Sequence, residues 1–211
     1  MKKIISLVLV LVLMTTGLFV LTGCEKGGNA PKKDGVDISY TFGKGKISLR
    51  VPKKEDGTAK YEFTTEKPEG FSVNATFYLV TDKAMFGFST SSLAYNTGKE
   101  YKEKYGETKA TFDGYLAFLD DESLTTRAKL SGDTRLEING RKAVKYYNRT
   151  GGQGDYDYFG FIYLVGVDDV YPGSRLQMTV NYKDEKPKES KEFDEETNDI
   201  ISSLKVEANV Q

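Results

Sequence analysis

Residues 136–144 read Leu-Glu-Ile-Asn-Gly-Arg-Lys-Ala-Val, with Asn139-Gly140 standing between two runs that have the character of strands. Asn-Gly supplies the positive φ needed at both central positions of a type I′ turn, so the stretch predicts a tight antiparallel hairpin. In that register Glu137 lies opposite Lys142, a cross-strand pair contributing roughly 0.2–1 kcal/mol. Downstream, residues 158–165 (YFGFIYLV) are continuously apolar, as expected of a central strand covered on both faces. Leu176, Met178, Val180 and Tyr182 then alternate with Arg175, Gln177, Thr179 and Asn181, which predicts a strand with one face on a core and one in water.

Upstream, the same period-2 pattern recurs. Val36, Ile38, Tyr40 and Phe42 alternate with polar residues, as do Ile47, Leu49 and Val51 after Gly43-Lys44-Gly45. Tyr61 and Phe63 suggest a shorter strand. The series Phe71, Val73, Ala75, Phe77 and Leu79 is the longest alternation in the first half, and Phe86 and Phe88 continue it. Two stretches follow a helical spacing instead. Phe112, Tyr115, Leu116 and Leu119 fall at i, i+3, i+4 and i+7, predicting a helix over about residues 110–121, with Gly114 costing roughly 1 kcal/mol relative to Ala. Phe193, Thr197, Ile200, Ile201 and Leu204 line one side of a helix over about residues 190–204. The expected fold class is α+β: one domain over residues 36–211, with a mainly antiparallel sheet and flanking helices.

This order of elements resembles the PsbP-like family. The opening strand ISLRVPKK (47–54), the hairpin EINGRKAVKYYNR (137–149), the long strand pair and the closing helix into IISSLKV (200–206) carry the resemblance. It implies an α/β sandwich and a binding or assembly role at a membrane surface, with no shared catalytic motif to carry over.

The amino terminus points to a compartment. Met1-Lys2-Lys3 precedes residues 4–21, interrupted only by the polar Ser6, Thr15 and Thr16, which is the layout of a secretory signal. It ends at Leu21-Thr22-Gly23-Cys24, and Cys24 is the single cysteine of the chain. The sequence resembles the lipobox of bacterial lipoproteins. That resemblance implies cleavage between Gly23 and Cys24, a diacylglyceryl group on the Cys24 sulfur, usually a further acyl chain such as palmitate on the new amino terminus, and attachment to the extracytoplasmic face of the cell membrane. Two acyl chains hold stably where one binds only marginally. The competing reading is an uncleaved membrane-spanning helix, since 18 mostly apolar residues just reach across a bilayer. Residues 24–35, with EKGGNAPKKDG after the cysteine, offer no apolar periodicity and read as a flexible tether.

Composition excludes several chemistries. The 211 residues hold 30 Lys and Arg against 31 Asp and Glu, giving a net charge of −1 and no electrostatic reason to bind nucleic acid. Loss of residues 1–23 removes Lys2 and Lys3, so a polybasic membrane patch is not implied either. The chain has no His, which excludes Ser-His-Asp and Cys-His triads and histidine-ligated metal. With one cysteine, no disulfide within the chain can form, and stability must come from the core.

The remaining candidate residues are of low specificity. Asp120-Asp121-Glu122 and Asp168-Asp169 are acidic stretches; they lack the spaced loop of a calcium site, and calcium at Asp168 and Asp169 is the metal reading they would allow. Gly151-Gly152-Gln153-Gly154 lacks the Gly-Lys-Ser/Thr ending of a phosphate loop and reads as a hairpin connection. Of the 14 tyrosines, Tyr146, Tyr147, Tyr156, Tyr158 and Tyr163 cluster around the hairpin and the next strand. Alternation puts Tyr156 and Tyr158 on one face, where they suit a protein partner or a sugar ring, while tyrosine is also simply a strand former. The sequence therefore leads to a lipid-anchored, non-catalytic binding or assembly module without a cofactor. Its alternatives are a glycan- or cell-wall-binding module and, third, an enzyme using carboxylates alone, for which no Asp or Glu pair is marked.

Overall fold

The computed structural model describes residues 34–71, 73–93, 111–120, 134–150, 157–183 and 193–209, with side chains given throughout except at 149, 150 and 157–159. From Asp34 to Gln211 the chain forms one compact unit. Its strands are β1 (Val36–Phe42), β2 (Gly45–Val51), β3 (Phe63–Thr64), β4 (Phe77–Val80), β5 (Ala84–Ser92), β6 (Thr134–Ile138), β7 (Arg141–Thr150), β8 (Asp157–Gly166), β9 (Ser174–Tyr182) and β10 (Lys205–Ala208). Helix α1 spans Phe112–Asp120 and α2 spans Glu195–Ser202. One sheet has the order β1-β2-β10 and the other β3-β4-β5-β9-β8-β7-β6, with every pairing antiparallel. The chain is thus an α+β protein built mostly of antiparallel sheet.

The hairpin read from residues 136–144 forms in the expected register, Glu137 opposite Lys142 and Ile138 opposite Arg141. Asn139 and Gly140 take φ of 47° and 82°, the left-handed values a type I′ turn needs. The opening strands pair without interruption from Val36↔Val51 to Phe42↔Gly45.

The main core lies between the small sheet with α2 and one face of the large sheet. Ile47, Leu49 and Val51 of β2 and Ile200 and Ile201 of α2 pack over Phe77, Phe86, Phe88, Val165, Met178 and Val180. Aromatic rings run through this layer: Tyr40 stacks on Phe77 at 4.2 Å and Phe77 on Phe88 at 4.9 Å. Helix α2 starts where the Asp194 carboxylate accepts the Thr197 N–H at 3.0 Å, satisfying one of the free amides of the first turn. On the opposite face of the large sheet, Phe112, Tyr115 and Phe118 of α1 cover Val144 and Leu164. Phe112 sits directly over Gly166, where a Cβ would lie 2.8 Å from its ring.

Two expectations need correction. Only Phe77–Val80 of the long alternation is strand. Phe71 and Ala75 instead turn over the opposite face and cover Gly87, where a Cβ would lie 2.7 Å from the Phe71 ring. Gly70, at φ 77°, reverses the chain ahead of them, and the Ala75 N–H donates to the Tyr78 hydroxyl at 2.8 Å rather than to a ladder. The second correction is larger. Most of the polar row of β9 does not face water: Thr179 is 0 % exposed, Asn181 3 % and Arg175 8 %, with Gln177 half-buried.

Candidate functional site

The largely buried polar row of β9 gathers several polar side chains on one face of the large sheet. Register places Arg175, Gln177, Thr179 and Asn181 on the α1 face of the large sheet, beside Ser91, Ser89, Gly87 and Met85 of β5 and Gly166, Leu164, Ile162 and Gly160 of β8. Val144, Tyr146 and Asn148 of β7 complete the same face. A continuously apolar β8 requires cover on both faces, and that cover extends over its neighbour β9.

Each end of the row has its own construction. At the α1 end, the Arg175 guanidinium lies 4.5 Å from the centre of the Tyr115 ring, a cation–π arrangement, and its Nε donates to Ser91 Oγ at 3.0 Å. Tyr146 is half-buried beside them; burial pushes its hydroxyl up to about 12, the neighbouring Tyr115 pushes the same way, and the Arg175 charge opposes both. At the other end, Asn148 Nδ2 donates to Asn181 Oδ1 at 2.7 Å. These two asparagines sit on strands either side of β8, and they meet because the residue between them is Gly160. Gly160 has φ 157°, and a Cβ there would collide with the Val180 carbonyl and lie 2.8 Å from Asn181 Cα. The β7–β8 ladder shifts register at Asn148/Arg149, a bulge beside the same glycine.

The row offers hydroxyls, amides and one permanent positive charge. Among the described residues the row's polar groups bond to one another, Gln177 Nε2 donating to Thr179 Oγ1 at 3.4 Å, and Tyr146 keeps its proton at neutral pH. Sequence reasoning missed this site because it judged β9 from its own alternation. The signal that finds it is the neighbourhood: small residues at Gly87, Ser89 and Gly160 on the adjoining strands leave room for a polar row to be covered.

The residues singled out from sequence are distributed around the fold. Tyr146 faces the row, whereas Tyr147 packs on Phe161 at 5.3 Å on the opposite face and Tyr163 is buried in the main core. The backbone of Tyr158 pairs with Arg149, one step beyond the Asn148–Gly160–Asn181 line. Tyr156, Gly151–Gly154 as a loop, Gly23, Cys24, Asp121 and Glu122 lie outside the described residues. Asp120 accepts from Arg135 at 2.7 Å.

Asp168 and Asp169 carry out different tasks. Asp169 receives both terminal nitrogens of Arg141, at 2.7 and 2.8 Å, and Arg141 also donates to the carbonyls of Gly166 and Val206, at 3.0 and 2.6 Å. That guanidinium ties the β6–β7 hairpin to the loop after β8 and to β10, and it holds the Asp169 carboxyl below its ordinary range. Asp168 Oδ2 accepts the Phe112 N–H at 2.6 Å at the start of α1, while its Oδ1 is buried with no hydrogen bond. Burial raises the Asp168 carboxyl, the Phe112 bond opposes this, Asp113 and Asp169 raise it further, and Arg141 lowers it. The described residues contain no group of three or more Asp, Glu, Cys or His placed to hold a metal ion.

Comparison with family models, curated proteins and solved structures finds no match to this chain. The functional reading accordingly rests on the chain's own residues.

Proposed function

We propose that the protein is a lipid-anchored, extracytoplasmic, non-catalytic binding or assembly lipoprotein. The observation that carries this reading is Leu21-Thr22-Gly23-Cys24: the only cysteine follows an apolar segment with a basic start. Cleavage before Cys24 and acylation of its sulfur leave the amino-terminal end on the membrane, and residues 24–35 act as the tether. The compact unit beginning at Asp34 supports that division, since an independently packed body needs only a connector between itself and the lipid. We also read the fold as PsbP-like, on the order of the opening hairpin, the Asn139-Gly140 hairpin, the β8–β9 pair and the closing helix.

The contact region in this reading is the end of the large sheet where β7 leads through residues 151–156 into β8. Tyr158, whose backbone pairs with Arg149 one step beyond the Asn148–Gly160–Asn181 line, and Tyr156, two positions before it in sequence, are the contacts of this reading, tyrosine being of the type that dominates binding interfaces. The test is crosslinked co-purification of the full-length protein from its own membranes, with Cys24→Ser as the control. A protein partner recovered with the parent chain, lost with Cys24→Ser and lost again with Tyr156→Ala/Tyr158→Ala is the expected result. Recovery of no protein partner, with retention of the domain on purified wall polymer, would replace this reading with a glycan-binding one.

A further inference from the structure

The two sheets have four outer strands among the described residues, β1 and β10 in one and β3 and β6 in the other. Outer strands expose unpaired backbone groups, and proteins blunt them with charge, shortness, bulges or a cover. Three of the four are treated in this way. β3 has two residues. β6 carries Arg135 and Glu137 within five residues. Along β10, Asn139 Nδ2 donates to the Leu204 carbonyl just before the strand, at 3.2 Å, and Arg141 to the Val206 carbonyl.

β1 carries a single charge, Asp37, and among the described residues it has none of the other devices. It is seven residues long, pairs with β2 without a register shift, and contains no proline and no lysine. Its core-side row, Val36, Ile38, Tyr40 and Phe42, is only half-buried. The two-residue hairpin closes on the pair Phe42–Gly45, so hydrogen bonds to β2 come from Phe42, Tyr40, Ile38 and Val36, and the N–H and C=O groups of Thr41, Ser39 and Asp37 point outward.

We propose that β1 is an interface for a second copy of this chain, pairing antiparallel with its counterpart about a two-fold axis at Ser39. The alternation selects this register. Ser39 is an outward-pointing residue, so a two-fold axis there makes a hydrogen-bonded pair, and Asp37 and Thr41 exchange backbone bonds with each other across the axis. The strand's one charge then never meets itself: Asp37 lies opposite Thr41 of the other copy while keeping its bond to Arg50 at 2.8 Å. An axis at Asp37 would set two carboxylates face to face, and an axis at Thr41 would leave little strand to overlap. About Ser39 the half-buried rows also match, Ile38 against Tyr40 and Val36 against Phe42. The result is a continuous six-stranded sheet, two copies of β10-β2-β1.

Chain length outside the paired strands permits this on a membrane. The two Val36 residues stand about 20 Å apart at opposite ends of the paired strands. A tether over residues 24–35 reaches roughly 35–40 Å when extended, so both tethers reach one surface. The pairing itself needs only β1; the lipid-anchored reading enters by raising the local concentration.

The test is disulfide trapping in the full-length protein in its own membranes. Ser39→Cys places two cysteines on the axis, at the roughly 5.5 Å Cα separation of a hydrogen-bonded pair, which a disulfide spans. Asp37→Cys and Thr41→Cys alone are each about 13 Å from their own counterparts and cannot bridge, whereas the two variants mixed can. The expected result is at least about fivefold more covalent dimer with Ser39→Cys, and with the mixture, than with either outer variant alone. Thr41→Pro added to Ser39→Cys removes only an outward N–H and is expected to abolish trapping without unfolding β1. Equal trapping at all three positions, no trapping at Ser39→Cys, or trapping to a different protein would each overturn the proposal. Reaction of Cys24 with a maleimide in the parent chain would count against the lipid anchor alone and leave the strand-pairing result standing.

Discussion

Gly160 illustrates how one side chain's absence organises a surface. Asn148 and Asn181 reach each other over it, and its φ of 157° is open to glycine and to little else. Gly160→Ala is expected to cost more than about 3 kcal/mol, since the strain and the collision with the Val180 carbonyl add to the loss of the buried amide pair. Chemical denaturation would check this, and a loss under about 1 kcal/mol would mean that the two asparagines do not depend on the gap. Asp168 and Asp169 make a second contrast. The Asp168 carboxyl is raised by burial, so its favourable contribution is present below the ordinary carboxyl range and is lost as pH rises through its folded value. Asp169, held low by Arg141, contributes above the ordinary range and loses that contribution as pH falls. Melting temperatures measured from about pH 3 to pH 7 should therefore diverge: Asp168→Asn gains on the parent as pH rises, and Asp169→Asn loses, by about 1 kcal/mol or less because that pair is exposed. Parallel slopes would refute the assignment. None of this was legible beforehand. Asp168 and Asp169 are adjacent in sequence, and only the position of Arg141 and the start of α1 separate their roles.

At the scale of elements, patterns decided by local chemistry were readable and patterns decided by neighbours were not. The Asn139-Gly140 hairpin and the opening hairpin follow from turn chemistry and alternation within a few residues, and α1 and α2 follow from their apolar spacing. β9 has as regular an alternation as any strand in the chain, yet its polar side is covered, because cover is set by what lies across β5 and β8. The stretch around Phe71 fails for a related reason: alternation there continues through a segment that Gly70 has already turned onto the other face. The docking of α1 turns on a similar detail, the ring of Phe112 seated on Gly166. Gly166→Val should displace the ring and loosen the helix, speeding amide hydrogen exchange across residues 112–120 by at least about tenfold while the amides of β9 stay protected. Unchanged exchange in α1 would show that the helix is held by other contacts.

On the scale of the whole molecule, the large sheet is covered on one face by the small sheet with α2 and on the other by α1. The main core is wholly apolar in its largest members, among them Ile47, Phe77, Phe88, Met178 and Ile200, while the polar row lies on the far face. The largest apolar side chains and the polar row therefore occupy different faces, and the row could change without emptying the main core. Ahead of the compact unit that starts at Asp34, the sequence has an apolar segment, the single cysteine Cys24 and a polar stretch, on which the proposed lipid anchor rests. Of the candidate residues, Tyr156 lies outside the described residues and Tyr158 is placed only by its backbone pair with Arg149, while the Asn148–Asn181 pair went unread because the two residues are 33 positions apart and meet only across Gly160. The most direct test of the account is mass spectrometry of the amino-terminal peptide of the protein extracted from its own membranes. The account predicts a chain that begins at Cys24 with a diacylglyceryl group on its sulfur; a chain that keeps Met1, or one with a free Cys24 thiol, would contradict it.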